Sequence, residues 1–181
     1  YSELFALVTW TSVGLMGATA AVAGQNLGAG FPERSVRAAF VASMIGIAFS
    51  AVVGLAFLTI PRILLSIFGM DEGVQYELGR QLLTYLAVSG LFVTVALAYT
   101  GGLQGTGDTR SPLFISIVSQ VVIPIGWCSY IDVTRGLEPQ DIWLAIVLGH
   151  IARATLSVVR FNQGKWRDIA INIKPSSSTS A

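Results

Sequence analysis

Five apolar runs divide this chain: Leu4 to Ala23, Ala38 to Ile60, Gln81 to Leu103, Pro112 to Ile131 and Ile142 to Phe161. Each is close to the roughly 20 residues that a helix needs to cross a hydrocarbon core about 30 Å thick. None alternates strictly between apolar and polar positions, and strands of a membrane barrel would be about half as long. The pattern predicts an all-α integral membrane fold with five spanning helices.

The polar breaks carry the signals of helix ends. Gly24-Gln25-Asn26-Leu27-Gly28-Ala29-Gly30 follows the first run, and Gly101-Gly102-Leu103-Gln104-Gly105-Thr106-Gly107-Asp108-Thr109-Arg110-Ser111-Pro112 follows the third. Flexible backbone and amide side chains demand hydrogen-bond partners that lipid does not supply, so both stretches are expected as loops at a membrane surface. Two runs separate them, which puts them on the same side. Pro61 stops the second run, and Ile63 to Gly69 reads as a short interfacial helical turn. Asp71 and Glu72 suit the positive start of the next helix. Asp108 or Ser111 can cap the fourth helix, with Pro112 in its first turn.

Of the 181 residues 53% are hydrophobic and only 12% charged, where a soluble domain carries roughly a quarter charged. A net charge of +1, with no basic helix interleaved with aromatics, gives no expectation of nucleic-acid binding. One cysteine, Cys128, excludes an internal disulfide or a cysteine metal cluster, and reads as a small packed residue. Tyr1 is not preceded by a basic leader, and the first run starts almost at once, so the chain is expected to be a fragment whose true start lies upstream.

Lys and Arg set the expected orientation. Arg34, Arg37, Arg110, Arg160, Lys165, Arg167 and Lys174 lie on the side of the two Gly-rich stretches, against Arg62, Arg80 and Arg135 on the other. That excess puts the Gly-rich stretches and the C-terminus in the cytoplasm.

Several polar groups have two readings each. Gly24, Gln25, Asn26 and Gly28 either gate movement or cap the end of the first helix, with Gly28 or Gly30 supplying a left-handed turn. Gly105, Asp108 and Arg110 belong to the second stretch, where Asp108 pairs with Arg110 or with the neighbouring loop. Pro124, inside the fourth run, has no N–H and so frees the carbonyl of Gln120 four residues earlier. With Ser116 and Gln120 on the same face, this makes a polar patch that lines a cavity or is satisfied by a packed neighbour. Tyr85, Ser89 and Tyr99 follow helical spacing in the third run, as a packing stripe or as the wall of a cavity for aromatic cations, to which Thr9 and Ser12 add hydroxyls. Arg153 reads as a snorkelling side chain and His150 as a neutral packed one.

The ordered set Ala20-Ala21-Val22-Ala23-Gly24-Gln25-Asn26-Leu27-Gly28-Ala29-Gly30, then Arg37-Ala38, Pro61 through Phe68-Gly69-Met70-Asp71, Gly101 through Pro112, and Gly164-Lys165-Trp166 resembles the second half of a multidrug and toxic compound extrusion (MATE) transporter. The resemblance implies two six-helix lobes with a substrate cavity between them. The five runs would be helices eight to twelve of the C-terminal lobe (residues 1–166), followed by a polar, disordered cytoplasmic tail (167–181), with the N-terminal lobe and the seventh helix absent. It implies a multi-pass protein of the plasma, or inner, membrane that exports small amphipathic or cationic compounds in exchange for sodium ions or protons, with no cofactor. All ten acids fall at or outside run ends, so the coupling acid is expected in the absent portion.

Two other functions compete. A lipid-linked saccharide flippase of the same superfamily would draw several cations into its cavity, and these runs offer Arg153 at most. A scaffold without transport would have little use for mid-membrane polar groups. No Walker loop, His-Glu-x-x-His or Gly-x-Ser-x-Gly motif occurs, so an enzyme is not expected.

Overall fold

The computed structural model describes residues 2–67, 69 and 72–171. In chain order they form α1 (Ser2–Gly28), α2 (Pro32–Thr59), α3 (Pro61–Ser66), α4 (Gly73–Gly105), α5 (Arg110–Ile117), a π-helical turn (Val118–Val122), α6 (Ile123–Arg135), α7 (Pro139–Asn162) and α8 (Trp166–Ile171). No strand occurs among the described residues. Every apolar run lies within one helix or, for the fourth, within the continuous α5–π–α6 rod, except that Ile60, the last residue of the second run, stands just past the end of α2. Four stretches among the described residues are long and apolar enough to cross a membrane: Pro32–Thr59, Gly73–Gly105, Arg110–Arg135 and Pro139–Asn162. α1, over the first expected run, has 27 residues, or about 40 Å of helix. Asp71, expected at a helix start, lies outside the described residues.

α4 is the axis of the bundle. α1 runs parallel to it, with Met16 on Gly101 and Ala20 on Gly105, while α2 runs antiparallel, with Gly46 on Thr94 and Gly54 on Ala87. α7 packs on another face, parallel again, through Gln140 on Gln81 and Phe161 on Gly102. The α5–π–α6 rod lies outside α7 and antiparallel to it. Fifteen residues of α4 are buried, many of them Gly, Ala, Ser or Thr. Lipid tails are as apolar as any core side chain, so close van der Waals approach at small residues is what holds membrane helices together.

Both Gly-rich stretches, expected as loops, are helical for most of their length. Gly24, Gln25, Asn26 and Gly28 lie in the last turns of α1, and Gly105 ends α4. Within a helix the backbone bonds itself, so these glycines need no partner from outside, and the bare backbone lets α1 and α4 close up. The turns come just afterwards and share one design. Phe31 N–H donates to Asn26 O and Gly30 N–H to Leu27 O; Asp108 N–H donates to Leu103 O and Gly107 N–H to Gln104 O. Each pair satisfies the orphan carbonyls of a helix end and requires a left-handed residue between them. Gly30 (φ +84°) and Gly107 (φ +93°) supply it.

The rod does not break at Pro124. It widens into the π turn, where Ile123 N–H donates to Val118 O, five residues back. In that register the next rung would run from residue 124 to Ser119 O, and proline has no N–H. The carbonyl left over is therefore that of Ser119 and not of Gln120. It lies directly against the backbone of Gly149 on α7. Beyond α7 the chain turns at Gly164 into α8, which begins at Trp166 and so crosses the boundary expected at 166; residues 172–181 lie outside the described residues. Trp166 is buried, donates to Phe161 O at 2.8 Å and stacks on the Phe161 ring at 5.1 Å.

Candidate functional site

A layer of polar groups crosses the helices near the middle of their spans. On α2, Ser50 is buried and donates to Gly90 O at 3.2 Å, while Thr94 of α4 caps the same carbonyl at 3.1 Å. One residue along α4, the Ser89 hydroxyl shares a hydrogen bond with His150 Nδ1, both groups being buried. The residue before His150 is Gly149, against the Ser119 carbonyl and with the Gln120 amide close by. α7 is thus held at one level between α4 and the π turn. Next to Ser89, Tyr85 meets Trp143 of α7 with ring centroids 5.7 Å apart. Further along α7, Arg153 Nε and Ser157 Oγ are buried without a hydrogen-bond partner among the described residues.

The expected wall is divided by the packing. Tyr85 and Ser89 face α7, whereas α1, which carries half-buried Thr9 and buried Ser12, packs on the Gly101 and Gly105 line of α4. Tyr99 is buried between Ser43 and the edge of Phe161, 5.6 Å between centroids. On the rod, Ser116 is half-buried and Gln120 exposed. Pro124 lines a cleft of about 290 Å³ between α6 and α7 that extends to Asp132 and Leu137.

The Gly-rich end is knitted by polar contacts. Asn26 Nδ2 donates back to Val22 O at 2.8 Å, and Ser35 Oγ of α2 donates to Ala23 O at 2.7 Å, so Asn26 caps its own helix, while Gln25 is exposed. Asp108 pairs with Arg160 on the last turn of α7 and not with Arg110, which is exposed at the first turn of α5. Ser111 N–H and Oγ donate to Asp108 at 3.0 and 2.7 Å, and Arg160 Nε and Nη2 donate at 3.2 and 3.0 Å. Burial pushes this carboxyl up, but the Ser111 and Arg160 hydrogen bonds and the guanidinium charge outweigh it and hold the group below its ordinary value of 3.8. From sequence Arg160 counts only toward orientation and not as the partner of Asp108, although a basic residue in the last turn of a helix antiparallel to the capped one is a usable signal. Gly149, a mid-span glycine facing a proline-bearing helix, is another.

Across the bundle from this end, Arg135 bridges Asp141 and Glu138, and Asp141 closes a capping box by accepting from the Glu138 N–H at 3.0 Å. No group of three or more His, Cys, Asp or Glu able to hold a metal occurs among the described residues.

The fold resembles that of a eukaryotic MATE transporter, AtDTX14, with a TM-score of 0.78 at 19% identity over 94% of this chain and 38% of that one. In sequence, the chain is 28% identical over 155 residues to a probable multidrug resistance protein NorM of Deinococcus radiodurans, covering 81% of this chain and 33% of the relative. It is 24% identical over 164 residues to a probable NorM of Rhodopseudomonas palustris, covering 89% and 35%. The chain therefore spans about a third of the length of these curated relatives. The MatE family model matches residues 1–128, more than half of the chain, and on that match the chain belongs to the MatE family, whose members are membrane transporters and not enzymes.

Proposed function

We propose that this chain supplies helices eight to twelve of a secondary antiporter that exports drugs or other organic cations in exchange for sodium ions or protons. The observation that carries this reading is the polar layer of Ser50, Thr94, Ser89, His150 and the Ser119 carbonyl at mid-span of otherwise apolar helices. Polar groups at that depth carry a cost that a passive scaffold has no reason to bear. Tyr85 with Trp143 gives ring faces between α4 and α7, and Pro124 lines a separate cleft between α6 and α7; both surfaces suit parts of an aromatic cation. Gly24, Gly101 and Gly105, in the helices just before the Gly-rich turns, are close-packed joints between α1 and α4, with Asp108 and Arg160 holding the α4–α5 turn to α7. The Lys and Arg excess supports a reading in which these turns and the C-terminus are cytoplasmic in a plasma-membrane protein. The lobe opposite this one, and the coupling acid, would come from outside the chain.

Dye accumulation tests the reading. Cells with the complete natural gene should hold less of a lipophilic cationic dye than deletion cells, and dissipating the sodium and proton gradients should abolish the difference. Equal accumulation overturns the proposal. Orientation is read separately: single cysteines at Thr109 and Gln75 should react with an impermeant maleimide from opposite sides, Thr109 from the cytoplasm.

A further inference from the structure

The cleft between α6 and α7 leads from Pro124 at mid-span to Asp132 and Leu137 at the end away from the Gly-rich turns. Its walls are mostly aliphatic, from Ile125, Ala145 and Ile146, and Cys128 lies on its floor. Its mouth is acidic: Asp132, Glu138 and Asp141 stand near one cation, Arg135. That cation is engaged by Asp141 and Glu138, and no ion pair reaches Asp132 among the described residues. An apolar groove ending in an uncompensated carboxylate matches one ligand chemistry. The hydrocarbon part of an amphipathic cation gains by leaving water or headgroups, and its charge is attracted to Asp132, which is exposed at the mouth of the cleft.

We propose that this cleft is a binding site for lipophilic monocations on the outer side of the membrane, with Asp132 as the charge partner and the Pro124–Ile146 region as the apolar floor. The proposal rests on the reading of the protein as an organic-cation exporter. The inner end of the cleft is Pro124, next to the π turn, and its outer end is at Asp132 and Leu137.

Cys128 is the single thiol of this chain and reports on occupancy. The complete natural protein, in native membrane vesicles, would be alkylated with N-ethylmaleimide and the Cys128 peptide quantified by mass spectrometry. Methyltriphenylphosphonium should slow Cys128 alkylation in a saturable way, and the neutral isostere 1,1,1-triphenylethane should not. Asp132→Asn should weaken protection by the cation about fivefold or more, and Asp132→Glu should restore part of it. Equal protection by the neutral compound would mean that the cleft takes apolar matter such as lipid chains and would overturn the proposal. So would the absence of protection at concentrations that compete with dye efflux. Efflux in the same vesicles is measured independently: protection without efflux defeats the exporter reading and leaves the site standing, and efflux without protection does the reverse.

Discussion

Gly105 of α4 lies against the carbonyl of Ala20 on α1 so closely that no side chain fits between them. The Gly105 carbonyl is in turn packed on Gly24, where an added Cβ would stand 2.7 Å from it. Backbone meets backbone, and neither partner can turn aside as a side-chain tip would. Gly105→Ala should therefore destabilise the bundle by about 1–3 kcal/mol, read as a lower melting temperature in detergent. Gly28→Ala is the control, because nothing lies within 4 Å of the site of its Cβ. A similar melting temperature for Gly105→Ala and Gly28→Ala would show that α1 and α4 do not need this contact.

The five helices were legible because run length alone separates membrane helices from strands, and apart from Arg153 and Arg160 in the last run the Lys and Arg positions fall between runs. What was not legible was contact between helices. A glycine that ends a helix and a glycine that admits a neighbouring backbone look alike in sequence; Gly30 does the first and Gly105 the second. Asp108 was readable as a cap because Ser111 and Pro112 follow it, but its ion-pair partner, Arg160, is 52 residues away. The carbonyl left without a partner by Pro124 lies one residue earlier than an i to i−4 ladder implies, because the chain adopts a π turn there.

The Asp108–Arg160 pair predicts an acid response of defined sign. The folded Asp108 carboxyl lies below its ordinary value, so its contribution to stability is fully present above about pH 4 and is lost as pH falls through the depressed folded value. Asp108→Asn should lower stability at pH 7 by about 1–2 kcal/mol, through loss of the pair and weakening of the Ser111 contacts. The difference from wild type should then shrink below pH 4. An unchanged gap between the two proteins from pH 7 down to pH 3 would contradict this assignment.

α8 is anchored by one residue rather than by its charges. Trp166 is buried, stacked on Phe161 and bonded to its carbonyl, in a cluster with Leu103 and Ala39. Arg167 pairs with Glu33 at 2.9 Å, with both side chains substantially exposed. Trp166→Ala should cost about 3–5 kcal/mol, whereas Glu33→Gln should change stability by less than about 1 kcal/mol. Thermal melts of the two variants, compared with wild type, decide which contact fixes the segment.

At the π turn, Pro124→Ala would restore an N–H at position 124 and so permit the regular register, in which residue 124 N–H bonds the Gln120 carbonyl and Ile123 N–H bonds the Ser119 carbonyl. That should draw the rod toward a regular helix and pull the Ser119 carbonyl from Gly149. The expected outcome is normal expression with impaired export by the complete protein. Gly149→Ala attacks the same contact from α7, forcing a methyl group onto the Ser119 carbonyl, and should lower stability as well. Normal export by both variants would reduce the π turn to a packing detail.

The hydrogen bond between Ser89 and His150 ties α4 to α7 at mid-span, and His150 is the only histidine of the chain. By residue type it is the group in these spans suited to carry a proton at physiological pH, so its part in coupling has to be separated from its part in packing. His150→Ala would confound the two, because it opens a cavity and leaves the buried Ser89 hydroxyl without this partner. His150→Gln retains a side chain able to bond Ser89 but does not titrate. If the coupling acid lies outside this chain, as proposed, His150→Gln should keep both ion-driven export and its pH profile in the complete protein, while His150→Ala should lose about 2–4 kcal/mol of stability. A stable, correctly inserted His150→Gln protein whose export no longer varies with pH would move the coupling site into this chain and defeat the assignment.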